Sequence, residues 1–377
     1  MIIQIAGTST RNKGAELMLA SIRQHFEQRS PDIQLAVDFS FGSYSQRARY
    51  GLLTNVKIRK IGRSRLAMAS MPSSLRQALG LVDEAGITAV LDASGFAFGD
   101  QHPLGRSTSF ALQAERWASH GKPLVLMPQA LGPFDQPDHA KEIKRIVDAS
   151  TLVFARDAAS YDSVKRVVGK SDKLRIAPDF TNLVKPNLVG LSAESQRVCI
   201  VPNIRMLEKA RNDLDKAKYI SLFANCAKLA TKLGFEPVVL LHGAEDKSVA
   251  KLISAELGRV LPFHELSDPL GIKKFIGESY LLIGSRFHAL ASALSQGVPV
   301  FASSWSHKYE ALLEDYGQSD CLLNVDTEEH QLLSKMESLL GAARNGAVSV
   351  IHKNAQLLEQ KTKEMWQEVD QALGLKF

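Results

Sequence analysis

Three polar residues share one junction of the chain. The segment IGSRFHALASALSQGVPV, residues 283 to 300, leaves an apolar run through Ser285, Arg286 and His288 and enters a run of small residues. A guanidinium at such a point binds a carboxylate or phosphate through paired N–H donors. Two residues later comes an imidazole, the side-chain type whose ordinary pKa suits passing a proton. If the small-residue run is a helix, its first turn adds free N–H groups and the positive end of the helix dipole. The chemistry implied is anion binding beside a proton donor. The competing account is an arginine ion pair and a hydrogen-bonded core histidine. These residues alone do not separate the two.

Other apolar runs also end in polar groups. MIIQIAG leads into GTSTRNKGAE, which offers Asn12, Lys13 and Glu16. Its glycines are too far apart for GxGxxG, and no GK[ST] follows, so neither nucleotide fingerprint is present. The later runs deliver Asp100, Gln129 (which could face the cleft), Arg156 with Asp157, Asn203 with Arg205, and His242 followed by Glu245 and Asp246. Asp157 suits a helix N-cap. The three cysteines are scattered, without CxxC pairing. No cluster has metal-ligand spacing. No metal and no cofactor are expected, and a reducing compartment is.

Positioning these residues requires strands that alternate with helices. Runs such as ITAVLDASG, KPLVLMPQ and STLVFARD have strand length and are apolar throughout, as in parallel sheets buried on both faces. Helical stretches lie between them. The pattern restarts after the polar segment 185–197. The expectation is an N-terminal α/β domain over 1–185 and a linker at 186–197. A C-terminal α/β domain over 198–345 and a helix over 346–377 complete it. The fold class is α/β, with two Rossmann-like domains facing a cleft. In such folds ligands bind beyond the carboxyl ends of the strands.

Charge is local. The chain carries a net +6, yet no Asp or Glu lies between Asp38 and Asp83, where eight Lys and Arg residues fall. The remainder therefore sums to −2. Such a patch attracts a polyanion, a pyrophosphate or an anionic membrane surface, so residues 47–76 are a candidate peripheral membrane contact. Aromatics make up 7% of the chain, which argues against single-stranded nucleic acid as the partner. No apolar run reaches the ~18 residues of a membrane span. The first residues lack a secretory n-region and h-region. A cytoplasmic protein is expected, at the inner membrane face if its substrate is lipid-linked.

NKGAE, PQALGPF, ARDAASY, APDF and above all GSRFHALASALSQGVPV followed by SSWSHKYEALLEDYG resemble the polysaccharide pyruvyl transferase family over about residues 1–325. The resemblance implies a fold similar to GT-B glycosyltransferases. It implies transfer of pyruvate from phosphoenolpyruvate to two hydroxyls of a sugar or lipid-linked saccharide, giving a cyclic ketal and phosphate. By the family's R-x-H element, Arg286 and His288 match donor-site residues, and Arg156 matches a further family arginine. Phe287 stands where an apolar residue such as Leu is usual. On this reading Arg286 and Arg156 clamp the donor's two anionic groups. His288 is the general acid, and Glu16 or Asp100 deprotonates the sugar. Asn12, Ser285, Arg205 and His242 complete the candidate binding set. The rivals are a glycosyltransferase using a nucleotide sugar, with Glu310 or Glu314 on the ribose, and a non-catalytic glycan-binding protein of the same fold.

Overall fold

A computed structural model describes residues 1–30, 32–56, 71–186, 196–304 and 306–375. It contains two compact units. The first comprises Met1–Thr10, Met18–Phe180 and Lys363–Phe377, and the second Arg11–Leu17 and Thr181–Thr362.

The first unit is built on eight parallel strands: β1 (Ile2–Ala6), β2 (Gln34–Asp38), β3 (Leu53–Asn55), β4 (Leu81–Val82), β5 (Ala89–Asp92), β6 (Leu124–Gln129), β7 (Leu152–Ala155) and β8 (Leu174–Ile176). Their order is β4-β3-β2-β1-β5-β6-β7-β8. Chain direction across the sheet reverses at β1 and β5, the place where open α/β sheets leave a crevice. β5 and β6 are buried along their whole length, which is why they read as unbroken apolar runs. The helix Pro137–Ala149 shows the complementary pattern. Proline sits in its first turn, where no N–H is needed, and Ile143, Ile146 and Val147 form its inner face.

The second unit has six parallel strands: β9 (Arg197–Val201), β10 (Glu236–Leu241), β11 (Phe263–Glu265), β12 (Leu281–Gly284), β13 (Val300–Ser303) and β14 (Leu322–Leu323). Their order is β11-β10-β9-β12-β13-β14, with the reversal between β9 and β12. Leu281, Leu282 and Ile283 are buried in a core shared with Val198, Ile200 and the helix Phe287–Leu294. Truncating Leu282 to Ala there costs about 2–5 kcal/mol through lost contact and a residual cavity.

Lys57, Arg59, Lys60, Arg63 and Arg65 of the basic stretch lie outside the described residues, as do 187–195 of the segment read as a linker. Two of the remaining arginines are not free surface charges. Arg47 is buried and donates to the carbonyls of Phe39 and Gly42. Arg76 pairs with Asp83 at 2.7 Å. Among the described residues no helix is long and apolar enough to cross a membrane, and no group of side chains could hold a metal ion.

Candidate functional site

The second unit gathers most of the chemistry at the carboxyl ends of β9, β10 and β12. β12 ends in Gly284, and Ser285 follows with every polar group committed. Its N–H donates to the Val201 carbonyl at 3.0 Å, and its Oγ lies 2.6 Å from the Tyr219 hydroxyl. Its carbonyl accepts from Asn203 Nδ2 and the Tyr309 hydroxyl, each at 2.8 Å. Ser285 is fully buried. It fixes the backbone from which the next residue departs.

That residue, Arg286, is the N-cap of the helix Phe287–Leu294 and makes no side-chain cap bond. Its guanidinium points to β10's end. Nε donates to Asp246 Oδ2 at 2.9 Å, and Nη2 reaches Asp246 Oδ1 at 2.5 Å and Glu245 Oε1 at 2.8 Å. Burial opposes the charge, but the Asp246 carboxylate more than offsets it, and the Arg286 pKa stays above its ordinary value. Asp246 also accepts from the Ile204 N–H at 2.9 Å. The ion pair of the bland account is therefore present. It leaves Nη1 as the guanidinium's uncommitted edge among the described residues.

Three more groups surround this pair. His242 is buried, and its Nδ1 has no hydrogen-bond partner among the described residues. Burial first, and then the charges of Arg286, His288 and Lys13, hold its pKa well below the ordinary value. That coupling places all four groups in one electrostatic neighbourhood. His288 packs on the start of the helix Lys13–Arg29: a Cβ on Gly14 would stand 2.3 Å from its Nδ1. Lys13 Nζ donates to Glu16 at 2.6 Å and to the Ser267 carbonyl at 2.7 Å. Asn12 Oδ1 accepts from the Gly14 N–H at 2.9 Å, and its carbonyl accepts from Glu16 N–H at 3.0 Å. The NKGAE motif thus becomes legible. Asn shapes the turn, Lys and Glu pair within the first helical turn, and Gly admits the histidine ring.

Asn203 caps the short helix Ile204–Glu208 by accepting from the Arg205 N–H. The Arg205 side chain pairs with Glu208. Backbone and Arg286 hydrogen bonds overcome partial burial and hold the Glu245 carboxyl below its ordinary range, with Arg205 adding to the field.

The first unit holds Arg156 and Asp100. Arg156 is buried and pairs with Asp179 at 3.4 Å. Asp157 caps the helix Ala158–Val168 by accepting from the Ser160 N–H at 2.7 Å. Asp100 Oδ2 accepts from the backbone N–H groups of Asp135 (2.8 Å) and Gln136 (3.3 Å), clamping the loop that contains the cis Gly132–Pro133 bond. Gln129, a candidate to face a ligand, is instead fully buried and donates to Asp92 at 2.8 Å. An amide donor flanked by apolar residues on a central strand finds its acceptor on the neighbouring strand.

Sequence reading passed over Lys13 as a site residue and did not connect Asp246 to Arg286. The acidic pair in HGAED was the available signal, since a buried cation at a strand end requires a counter-charge.

A family model described as Polysaccharide pyruvyl transferase matches residues 12–307. Among solved structures, a UDP-GlcNAc 2-epimerase from Neisseria meningitidis, bound to UDP-GlcNAc, is similar with a TM-score of 0.62 at 14% identity. The match covers 98% of this chain and 99% of that one. HepE of Anabaena, in complex with UDP and glucose, gives 0.56 at 14% identity over 99% of both chains. The spinosyn rhamnosyltransferase SpnG, complexed with spinosyn aglycone, gives 0.56 at 14%, over 98% of this chain and all of that one. These likenesses show a GT-B-like fold.

Proposed function

The chain belongs to the polysaccharide pyruvyl transferase family, and from that premise we propose that it moves pyruvate from phosphoenolpyruvate onto two hydroxyls of a saccharide, forming a cyclic ketal and releasing phosphate. One observation carries the reading: Lys13, His242, Arg286 and His288 converge at the N-terminal end of the helix Phe287–Leu294. The donor brings a carboxylate and a phosphate. Arg286 offers Nη1, held in direction by Asp246. Lys13 keeps one of its three N–H donors after bonding Glu16 and Ser267. The helix N-terminus adds amides.

In the proposed reaction His288 protonates C3 of the enol as one sugar hydroxyl bonds to C2. The second hydroxyl then bonds to C2 as the C2–O bond to phosphate breaks. Of the two hydroxyl protons, one passes by way of the general base back to His288 and the other leaves with phosphate. Glu16 stands beside Lys13 in the cluster, whereas Asp100 spends one oxygen on two backbone amides. Glu16 is the better-supported base.

The test is thermal stability with phosphoenolpyruvate, with UDP-sugars, and with phosphate or pyruvate alone. A ligand at ~100 times its Kd adds about 2.7 kcal/mol, enough to raise the melting temperature by several degrees. Phosphoenolpyruvate should stabilise the wild type and not a His288→Asn or Arg286→Lys variant. A shift with UDP-sugars alone would replace this reading with nucleotide-sugar chemistry, the chemistry named in the structural neighbours' descriptions.

A further inference from the structure

The first unit contains a cavity that none of the donor chemistry uses. It measures about 1080 Å³ and opens at the carboxyl ends of β1, β2 and β5, where the strand order reverses. That is where an open α/β sheet receives its ligand. The helix Leu104–Ser119 contributes one wall, with Phe110 and Trp117 at 6.0 Å between ring centroids.

The charge of the lining decides what can enter. Four carboxylates border it, Asp38, Asp83, Glu84 and Asp92, against two guanidiniums, Arg106 and Arg116. Arg116 is already paired with Glu84 at 2.9 Å. Asp83 is likewise paired with Arg76, so Asp38 and Asp92 stand against Arg106, and a phosphate or carboxylate ligand finds no surplus of positive charge here. A neutral ligand rich in hydroxyls meets acceptors. Ser94 is shaped for that task. Its Oγ donates to the buried Asp92 carboxylate at 2.6 Å, so its lone pairs are left to accept. Asp92 is held from its other side by Gln129, and burial pushes its pKa up, against the hydrogen bonds from Ser94 and Gln129. Gly7, with φ +76°, leaves room for the hydroxyl: a Cβ there would stand 2.2 Å from Ser94 Oγ. Trp117 Nε1 is buried and has no hydrogen-bond partner among the described residues. Ligand pockets combine an apolar wall with a few such polar groups.

We propose that this cavity is a pyranoside site, with Phe110 and Trp117 forming its apolar wall and Ser94, oriented by Asp92, accepting a sugar hydroxyl. Its role as the acceptor site rests on the pyruvyl-transfer reading. Its ability to bind a sugar does not.

The experiment is saturation-transfer NMR on the full chain with the methyl glycosides of galactose, glucose, mannose and N-acetylmannosamine, with and without phosphoenolpyruvate. Ser109 lies on the exposed side of the cavity's helical wall, so Ser109→Trp fills the space without entering the core. At least one glycoside should give a signal with the wild type and lose it with Ser109→Trp. The variant should keep the wild-type melting temperature and its response to phosphoenolpyruvate. Ser94→Ala should weaken binding about five- to twentyfold, the scale of one lost hydrogen bond. Silence from every glycoside overturns the proposal. So does a signal that Ser109→Trp leaves intact, or UDP bound in the cavity instead. Sugar binding that survives loss of the phosphoenolpyruvate response leaves the cavity assigned and removes only the donor chemistry.

Discussion

Gly14 ties the two ends of the sequence motif set together. Residues 14 and 288 are far apart in the chain, yet a methyl group on Gly14 would press on His288 Nδ1 at 2.3 Å. The ring must then leave its place or the helix start must shift, and overpacking of this kind costs about 1–3 kcal/mol. Gly14→Ala should therefore lower the melting temperature modestly. If the proposed reaction holds, it should reduce phosphate release from phosphoenolpyruvate by about tenfold or more, because moving the proposed proton donor costs rate rather than fold. Phosphate-release assays beside thermal melts check this. A variant with unchanged turnover would show that the His288 position is not critical to the reaction. Arg286 carries the opposite lesson. Its guanidinium is fixed by its own ion pair, so a loss of activity in Arg286→Ala mixes lost binding with a stranded buried carboxylate.

The loop after β10 and the helix after β12 are held together by that pair. Asp246 is fully buried, while the Arg286 side chain keeps 12% of its exposure. Removing one partner leaves a desolvated charge, at a cost of about 3–5 kcal/mol. Arg286→Ala and Asp246→Ala should each approach this loss. The double variant should lose clearly less than their sum, by 1 kcal/mol or more. Urea unfolding of the four proteins closes the cycle, and strict additivity would mean that the pair does not hold the elements. At this scale much was legible from sequence. The apolar strands declared themselves because parallel strands are buried on both faces, and Arg286 and His288 stand at the helix start where the spacing placed them. What sequence did not show was pairing across the sheet. Asp246 comes from β10 and Arg286 from β12, with β9 between them, and strand order is not written in local periodicity. Gln129 failed for the same reason, since its partner Asp92 sits on the neighbouring strand. Asp92 and Ser94 went unnoticed because a buried acid followed by a small polar residue looks like an ordinary strand end.

At the scale of the whole molecule, burial lowers the pKa of two histidines among the described residues, one in each unit. His242 is held well below its ordinary pKa by burial and then by neighbouring cations. His25 is lowered by burial, with Arg29 adding a little, against the raising effect of Asp370. Its ring stacks on Trp366 at 3.8 Å and its Nε2 meets Asp370 at 2.8 Å. The sign follows from proton counting. A folded pKa below the unfolded value near 6.5 means that above this pH neither state binds the proton, and the contribution is complete. As pH falls through that value the unfolded chain takes up protons that the folded chain refuses, and stability drops. Each fully neutral histidine adds a slope of up to about 1.4 kcal/mol per pH unit. Ordinary carboxylates titrate lower, around 4, and the raised carboxyl Asp92 is common to wild type and variant, so the difference between the two from pH 6.5 to 5 reports on the imidazole. Urea midpoints across that window should fall with acid in the wild type and fall less steeply in His242→Gln. An unchanged slope in His242→Gln would mean that His242 takes up its proton equally in the folded and unfolded chain, so that burial does not exclude it.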